Sequence, residues 1–178
     1  MDMEATGSEM LNVTVPVHGS FDDAFRALYP SVARTAGLVA HDAQLGADIA
    51  QEAFARLFQR WSRMTSDDHA RNFVFRVTVN LAKSHLRRRL ASPFGLHGPE
   101  VRVADNTAST DAWISMAGAL ANLSAMQRVS VVLVDYADFD TPTVASILGI
   151  AESTVRVHLM RGRRSLRAAL ALPVEDES

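Results

Sequence analysis

Cysteine is absent from the 178 residues, which removes disulfide frameworks, cysteine-type zinc fingers, thiol nucleophiles and iron–sulfur clusters, and fits a reducing compartment. No apolar run approaches the ~18 residues that a spanning helix needs. The opening stretch Met1 to Ser20 is acidic, unlike the basic start of a secretory signal. A cytoplasmic location with no membrane partner is therefore expected. Six histidines, at 18, 41, 69, 85, 97 and 158, include no pair at i and i+4, and neither a Gly-rich phosphate loop nor a nucleophile motif occurs. The expectation is no metal, no cofactor and no enzyme activity. What is present is ordinary for a folded chain, with 48% hydrophobic and 21% charged residues, so wholesale disorder is excluded. The length allows one ordinary domain or two small ones.

Charge is distributed unevenly. Residues 21–90 carry 11 Lys or Arg against 7 Asp or Glu, and residues 113–172 carry 6 against 4, whereas the rest of the chain has Arg102 against nine acids. Two basic bodies are joined and flanked by acidic string, a pattern suited to a polyanion partner, although a surface of modest positive charge is also common without one.

Helical periodicity dominates. Ser20 reads as a cap for a stripe of Phe21, Phe25, Leu28 and Tyr29 that continues through Val32, Ala36 and Val39, with Pro30 expected to kink or interrupt the helix. Leu45, Ile49, Ala53 and Leu57 mark a second helix, with Phe54, Phe58 and Trp61 beside the stripe. Residues 63–68 read as a turn, and Phe73, Val77 and Leu81 mark a third helix that ends in Arg87, Arg88 and Arg89. Pro93, Gly95, Gly98 and Pro99 mark a flexible linker. Asp111 then reads as a cap for Trp113, Ala117 and Leu120, and Ser124 as a cap for Val129, Val132, Leu133 and Tyr136. The predicted architecture is all-α. It comprises an unassigned arm at 1–19, a helical domain at 20–90, a linker at 91–111, a second helical domain at 112–172 and an acidic tail at 173–178.

The most informative constellation lies near the end of the chain. Pro142 opens a short helix, Gly149 supplies a left-handed turn residue and Ser153 restarts the chain, with Ala145 small at the crossing and Val144, Leu148, Ile150 and Val155 burying the corner. This is a helix-turn-helix, whose second helix has a buried stripe of Val155, Leu159, Leu166 and Leu170. Its outer face would carry Thr154, Arg156, Val157, His158, Met160, Arg161 and Arg164, a surface able to enter a major groove. Five arginines stand against one acid between 151 and 172, which favours DNA over an ordinary helical hairpin. In the first body, Phe73, Phe75, Asn80, Lys83, His85 and the Arg87–Arg89 run combine rings with cations, as single-stranded DNA requires. Phe73 or Phe75 is also expected to be partly core.

These residues carry a family resemblance. Asp48-Ile49-Ala50-Gln51-Glu52-Ala53-Phe54 is similar to the acidic, Gln-Glu and Phe motif of two-domain bacterial RNA polymerase sigma factors of the extracytoplasmic-function type, and Asn80 through Arg87-Arg88 resembles their Asn to Arg-Arg ending. Ala119-Leu120, Leu123, Gln127-Arg128, Val144-Ala145, Leu148-Gly149, Ser153-Thr154-Val155-Arg156 and Arg161-Gly162-Arg163 follow the same family's order in the second part. The match covers about residues 21–90 and 113–171.

The resemblance implies a sigma region 2 helical bundle and a sigma region 4 helix-turn-helix. The implied function is to bind core RNA polymerase, recognise −35 and −10 promoter elements and help melt the DNA. It further implies that Asp48, Gln51, Glu52 and Arg56 dock on the clamp helices of the largest polymerase subunit, while region 4 meets the flap. Arg63, Met64, Thr65, Ser66, Asp67 and Asp68 would capture a flipped base of the −10 element. Phe73, Asn80 and Lys83 would help part the strands, with Arg87 and Arg88 on the backbone. Arg156, Val157, Met160 and Arg161 would read the −35 element, and an anti-sigma factor is an implied further partner. Phe73-Val74 stands where the family usually has Trp-Leu, a smaller wedge. The alternative from the residues alone is a free-standing, dimeric helix-turn-helix regulator.

Overall fold

The computed structural model describes residues 19–91 and 110–170. The arm, most of the expected linker and the acidic tail lie outside the described residues. The side chains of Trp113 and Leu170 do too. Every regular element among the described residues is a helix. The first half holds α1 (Phe21–Ala40), α2 (Ala43–Phe58), a 3-10 turn at Trp61–Arg63 and α3 (Asp67–Ala91). The second holds α4 (Thr110–Ala121), α5 (Ala125–Val131), a π turn at Val132–Tyr136, α6 (Thr141–Leu148) and α7 (Glu152–Leu170).

Caps set most of these boundaries. The Ser20 side chain accepts from the Asp23 N–H, and that of Asp42 from the Leu45 N–H at 2.9 Å. Ser124 and Gln127 cap α5 reciprocally, the Gln127 N–H donating to Ser124 and the Ser124 N–H to the Gln127 amide oxygen. Asp111 falls inside the first turn of α4 instead of capping it, and Glu152, not Ser153, opens α7.

The expected break at Pro30 does not occur. The helix runs through it because Pro30 lies on the exposed face, where the Arg26 carbonyl that loses its N–H partner can be served by water.

Gly46 lets α1 and α2 cross with their backbones in contact. A Cβ there would lie 2.6 Å from the Gly37 nitrogen and 2.7 Å from the Ala33 oxygen. Around that crossing Val32, Val39, Ile49, Phe54 and Leu57 are buried, with Val74, Phe75 and Val79 from α3 closing the first core. In the second half Leu120, Val129, Val132, Leu133, Val144 and Val155 do the same, and the two sets form one continuous cluster. Phe75 meets Phe139 edge-on, with centroids 4.9 Å apart. Of the two phenylalanines expected to be partly core, Phe75 is fully buried and Phe73 half-buried. Tyr136, placed by periodicity on the inner face, is exposed. The π turn, in which the Ala137 N–H donates to the Val132 carbonyl at 2.9 Å, adds a residue to the turn and rotates the stripe.

Arg128 joins the halves at their base. It is 7% exposed and has three backbone acceptors: Nε donates to the Leu120 carbonyl, Nη2 to Leu123 and Nη1 to Val39, at 3.1, 3.0 and 2.9 Å. These carbonyls lie at the C-terminal ends of α1 and α4, where helix dipoles favour a cation. Burial lowers the guanidinium pKa to about 10, which leaves it charged at neutral pH. In the sequence Arg128 stands out only as half of the Gln127-Arg128 motif; its burial does not show there, because its Val39 partner lies 89 positions away.

Candidate nucleic-acid interface

The geometry of α6 and α7 is that of a helix-turn-helix. The Asp140 side chain accepts from the Thr143 N–H at 2.8 Å and caps α6; hydrogen bonding to the Thr143 side chain first, and to this N–H second, lowers the Asp140 carboxyl pKa. Gly149 ends α6 at φ 68°, in the left-handed region where a side chain is strained. The underside of α7 buries Val155 and Leu159, while Leu166, expected on the same buried stripe, is half-buried. Gly162 lies against α5, where a Cβ would come within 2.8 Å of Val131 Cγ2 and 3.3 Å of Leu123 Cδ2. This close packing accounts for a glycine in mid-helix.

With its back fixed, α7 turns Thr154, Arg156, Val157, Met160, Arg161 and Arg164 outward, Met160 being 61% exposed, while His158 is half-buried at the edge. The Arg156 Nη2 and Nε donate to Glu152 Oε1 at 2.6 and 3.2 Å, and the Thr141 hydroxyl donates to the same oxygen at 2.6 Å. The Thr141 bond first, and Arg156 next, lower the Glu152 carboxyl below its ordinary range. Arg163 is turned away and pairs with Asp135 of the π turn, which raises its own pKa.

On α3, Asn80, Arg87 and Arg88 are exposed and Lys83 is half-buried. The Arg60 guanidinium lies 5.5 Å from the centre of the Phe73 ring, and Arg88 donates to Ser84 Oγ at 3.2 Å. Arg76, which the sequence reading did not single out, is exposed and lies at helical spacing between Phe73 and Asn80. The expected loop at 63–68 is shorter than anticipated. Arg63 belongs to the 3-10 turn, and Asp67 and Asp68 open α3, where acids suit the helix dipole. Met64 is buried, so it anchors the turn instead of facing DNA. Thr65 and Ser66 remain exposed, with the Thr65 hydroxyl 3.1 Å from His69 Nδ1 and Ser66 Oγ accepting from the His69 N–H at 3.1 Å.

The outer face of α2 brings Asp48, Gln51, Glu52 and Arg56 together, all exposed, with Arg56 donating to Glu52 at 2.5 Å. Phe58, seven positions beyond Gln51, extends this face and is 64% exposed against the Phe21 ring. Its apolar character at an i+7 spacing was the available signal, but the sequence reading placed it beside the core stripe.

A basic stripe on one helical unit and a helix-turn-helix on the next define a two-part, DNA-directed protein, and comparison with known proteins identifies the parts. Residues 24–91 match Sigma-70 region 2 and residues 115–166 match Sigma-70 region 4. The ECF RNA polymerase sigma factor SigM of Mycobacterium tuberculosis is 30% identical over 151 residues, covering 85% of this chain and 77% of the relative. The RNA polymerase sigma-E factor of Streptomyces antibioticus is 28% identical over 84% of each. Among solved structures, the fold is similar to that of the sigma factor RpoE in complex with the anti-sigma factor NepR from Bartonella quintana. That likeness has a TM-score of 0.74 at 20% identity, over 86% of this chain and 98% of the other. It is also similar to CnrH in complex with the cytosolic domain of CnrY, with a TM-score of 0.65 at 20% identity, over 84% and 86%. The chain belongs to the extracytoplasmic-function family of RNA polymerase sigma factors. Its partners are accordingly core RNA polymerase and promoter DNA, and the reading as a free-standing regulator is not favoured.

Proposed function

We propose that this sigma factor divides promoter recognition between residues 20–90 and 112–172 and works by binding energy, without bond chemistry of its own. Asp48, Gln51, Glu52, Arg56 and Phe58 dock on polymerase. Arg156, Val157, Met160 and Arg161 read the −35 element, flanked by Thr154, His158 and Arg164. Thr65 and Ser66, with Arg63, Asp67 and Asp68 at the ends of the turn, receive a base from the −10 element. Phe73, Asn80 and Lys83 part the strands, and Arg87 and Arg88 hold the backbone. The observation that carries this reading is the outward face of α7, which stays exposed while Gly149 and Gly162 fix the helix behind it.

The energetics explain the need for a large partner. Flipping a base costs a few kcal/mol, and stacking returns about 1–3 kcal/mol per base. Two small basic units are thus nearly balanced alone and gain from a polymerase that fixes their spacing. Val157 and Met160 offer apolar contact to thymine methyls, and Arg156 and Arg161 offer hydrogen bonds to guanine. Among the described residues no helix is long and apolar enough to cross a membrane, in keeping with action on DNA in the cytoplasm. An anti-sigma partner is supported by the solved structures of similar fold, in which RpoE is in complex with the anti-sigma factor NepR and CnrH with the cytosolic domain of CnrY.

Run-off transcription with purified core polymerase and a promoter library tests the assignment. Initiation should require this protein, and Arg156→Ala should weaken preference at the upstream element by about 1–3 kcal/mol. An unchanged upstream preference would overturn the groove assignment.

A further inference from the structure

We infer that Glu152 and Thr141 are positioning residues that hold Arg156 as a base reader, so that its guanidinium meets one base pair of the upstream element instead of the phosphates beside it. This inference rests on the proposed role of Arg156.

Glu152 is the one acid against five arginines between residues 151 and 172, and it opens the helix proposed to enter the groove. A carboxylate in that place is repelled by phosphates, so it needs a reason to be there. Its Oε1 accepts from Arg156 Nη2 at 2.6 Å and Nε at 3.2 Å, and from the Thr141 hydroxyl at 2.6 Å. The carboxylate is thereby fixed by α6, the first helix of the motif, and in turn fixes an arginine of the second. Arg56 and Glu52 of α2 form the same i,i+4 pair, but through Nη2 alone, and no other described residue donates to Glu52. Arg161 and Arg164, farther along α7, make no hydrogen bond or ion pair among the described residues.

The fork of the guanidinium decides what Arg156 can do. Its N–H bonds lie in a fixed plane. Glu152 takes the side edge, Nε with one hydrogen of Nη2, and leaves the end edge, formed by the other Nη2 hydrogen and Nη1. That end edge matches the paired N7 and O6 acceptors of a guanine. An arginine tied in this way has also lost rotamer freedom before DNA arrives, which saves roughly two- to tenfold in affinity. The N-terminal residues of a recognition helix are those that meet base edges, and Arg156 lies one turn into α7. The untethered Arg161 and Arg164 must be ordered by the DNA itself. The negative charge beside Arg156 adds selection against the wrong contact, since it disfavours any phosphate within the arginine's reach.

The test measures initiation by core polymerase carrying the wild-type or a variant chain, on promoters in which each upstream base pair is replaced in turn. Preference is a ratio between two promoters for one protein, so a loss of folded chain does not move it. Arg156→Ala marks the base pair that this arginine reads, as the position whose preference collapses. Glu152→Ala should lower the preference at that position about fivefold, a large part of what one bidentate contact supplies, and leave the other upstream positions unchanged. Thr141→Val, which removes one hydroxyl donor at nearly constant volume, should lower it about threefold, and Thr141→Ser should retain the wild-type value. In an Arg156→Ala background, Glu152→Ala should change nothing further at that position, because it acts through the arginine. A Glu152→Ala or Thr141→Val protein that keeps the wild-type preference, or loses it equally at all upstream positions, overturns the inference and leaves the reading of Arg156 standing. An Arg156→Ala protein with unchanged upstream preference overturns that reading, and the inference with it.

Discussion

Arg128 and Val39 lie 89 positions apart, yet the guanidinium of one donates to the carbonyl of the other. A single cation thereby ties the end of α1 to the body that carries the helix-turn-helix. Replacing Arg128 with Met keeps much of its volume but withdraws the guanidinium from three inward carbonyls, of which only that of Leu120 keeps another donor here, the Leu123 N–H. The expected loss is about 3 kcal/mol, read as a lower denaturant midpoint. Lys at the same position should recover only part, since an ammonium lacks the planar fork that reaches three acceptors.

Gly46 and Gly162 predict different penalties for the same change. Gly46→Ala drives a methyl into the α1 backbone, which cannot yield without separating the helices, so a loss of about 3 kcal/mol is expected. Gly162→Ala meets the side chains of Val131 and Leu123 instead. A gain of about 1 kcal/mol in helix propensity offsets part of that crowding, leaving a net loss of about 1 kcal/mol. Thermal melts of both variants check the order.

Phe58→Ser should separate binding from folding. Phe58 is mostly exposed, whereas Phe54, one turn earlier, is core. The melting temperature should hardly move in Phe58→Ser, but affinity for core polymerase should fall about tenfold, as for an apolar anchor at an interface. Phe54→Ala should show the reverse, with a loss of about 3–5 kcal/mol of stability.

Glu152 gives a pH signature. Its carboxyl is held below its unfolded value by Thr141 first and Arg156 second, so its contribution is complete above the unfolded pKa and fades as pH falls through the lower folded one. Melting curves of the wild type and Glu152→Gln should differ near neutrality and converge in the acid range. A difference that stays constant from neutral to strongly acid pH would exclude the carboxylate as its source.

Much of this structure was legible from local pattern. Ser20, Ser124 and Gly149 act at the ends where their chemistry placed them, and of the expected corner Val144 and Val155 are buried while Leu148 and Ile150 are half-buried. The errors came where a local rule met a distant neighbour or the solvent. Pro30 stays helical because its carbonyl partner faces water, and Met64 turns inward because a core lies beneath the turn. Arg71 with Ala137, Arg76 with Ser146 and Arg128 with Val39 are separated by 66 to 89 positions. No periodicity within one helix can announce such pairs. Of the residues proposed to bind DNA or polymerase, those on α7 were readable because a helix-turn-helix fixes which side is out. Phe58 was not, since a single ring shows its exposure only after the helices have packed.

Phe139 makes the second half of the chain answerable to the first. Its ring lies between the cation of Arg71 and the edge of Phe75, so a change there is felt on both sides of the seam at once. Trimming that one ring would therefore weaken both halves together, not one of them alone.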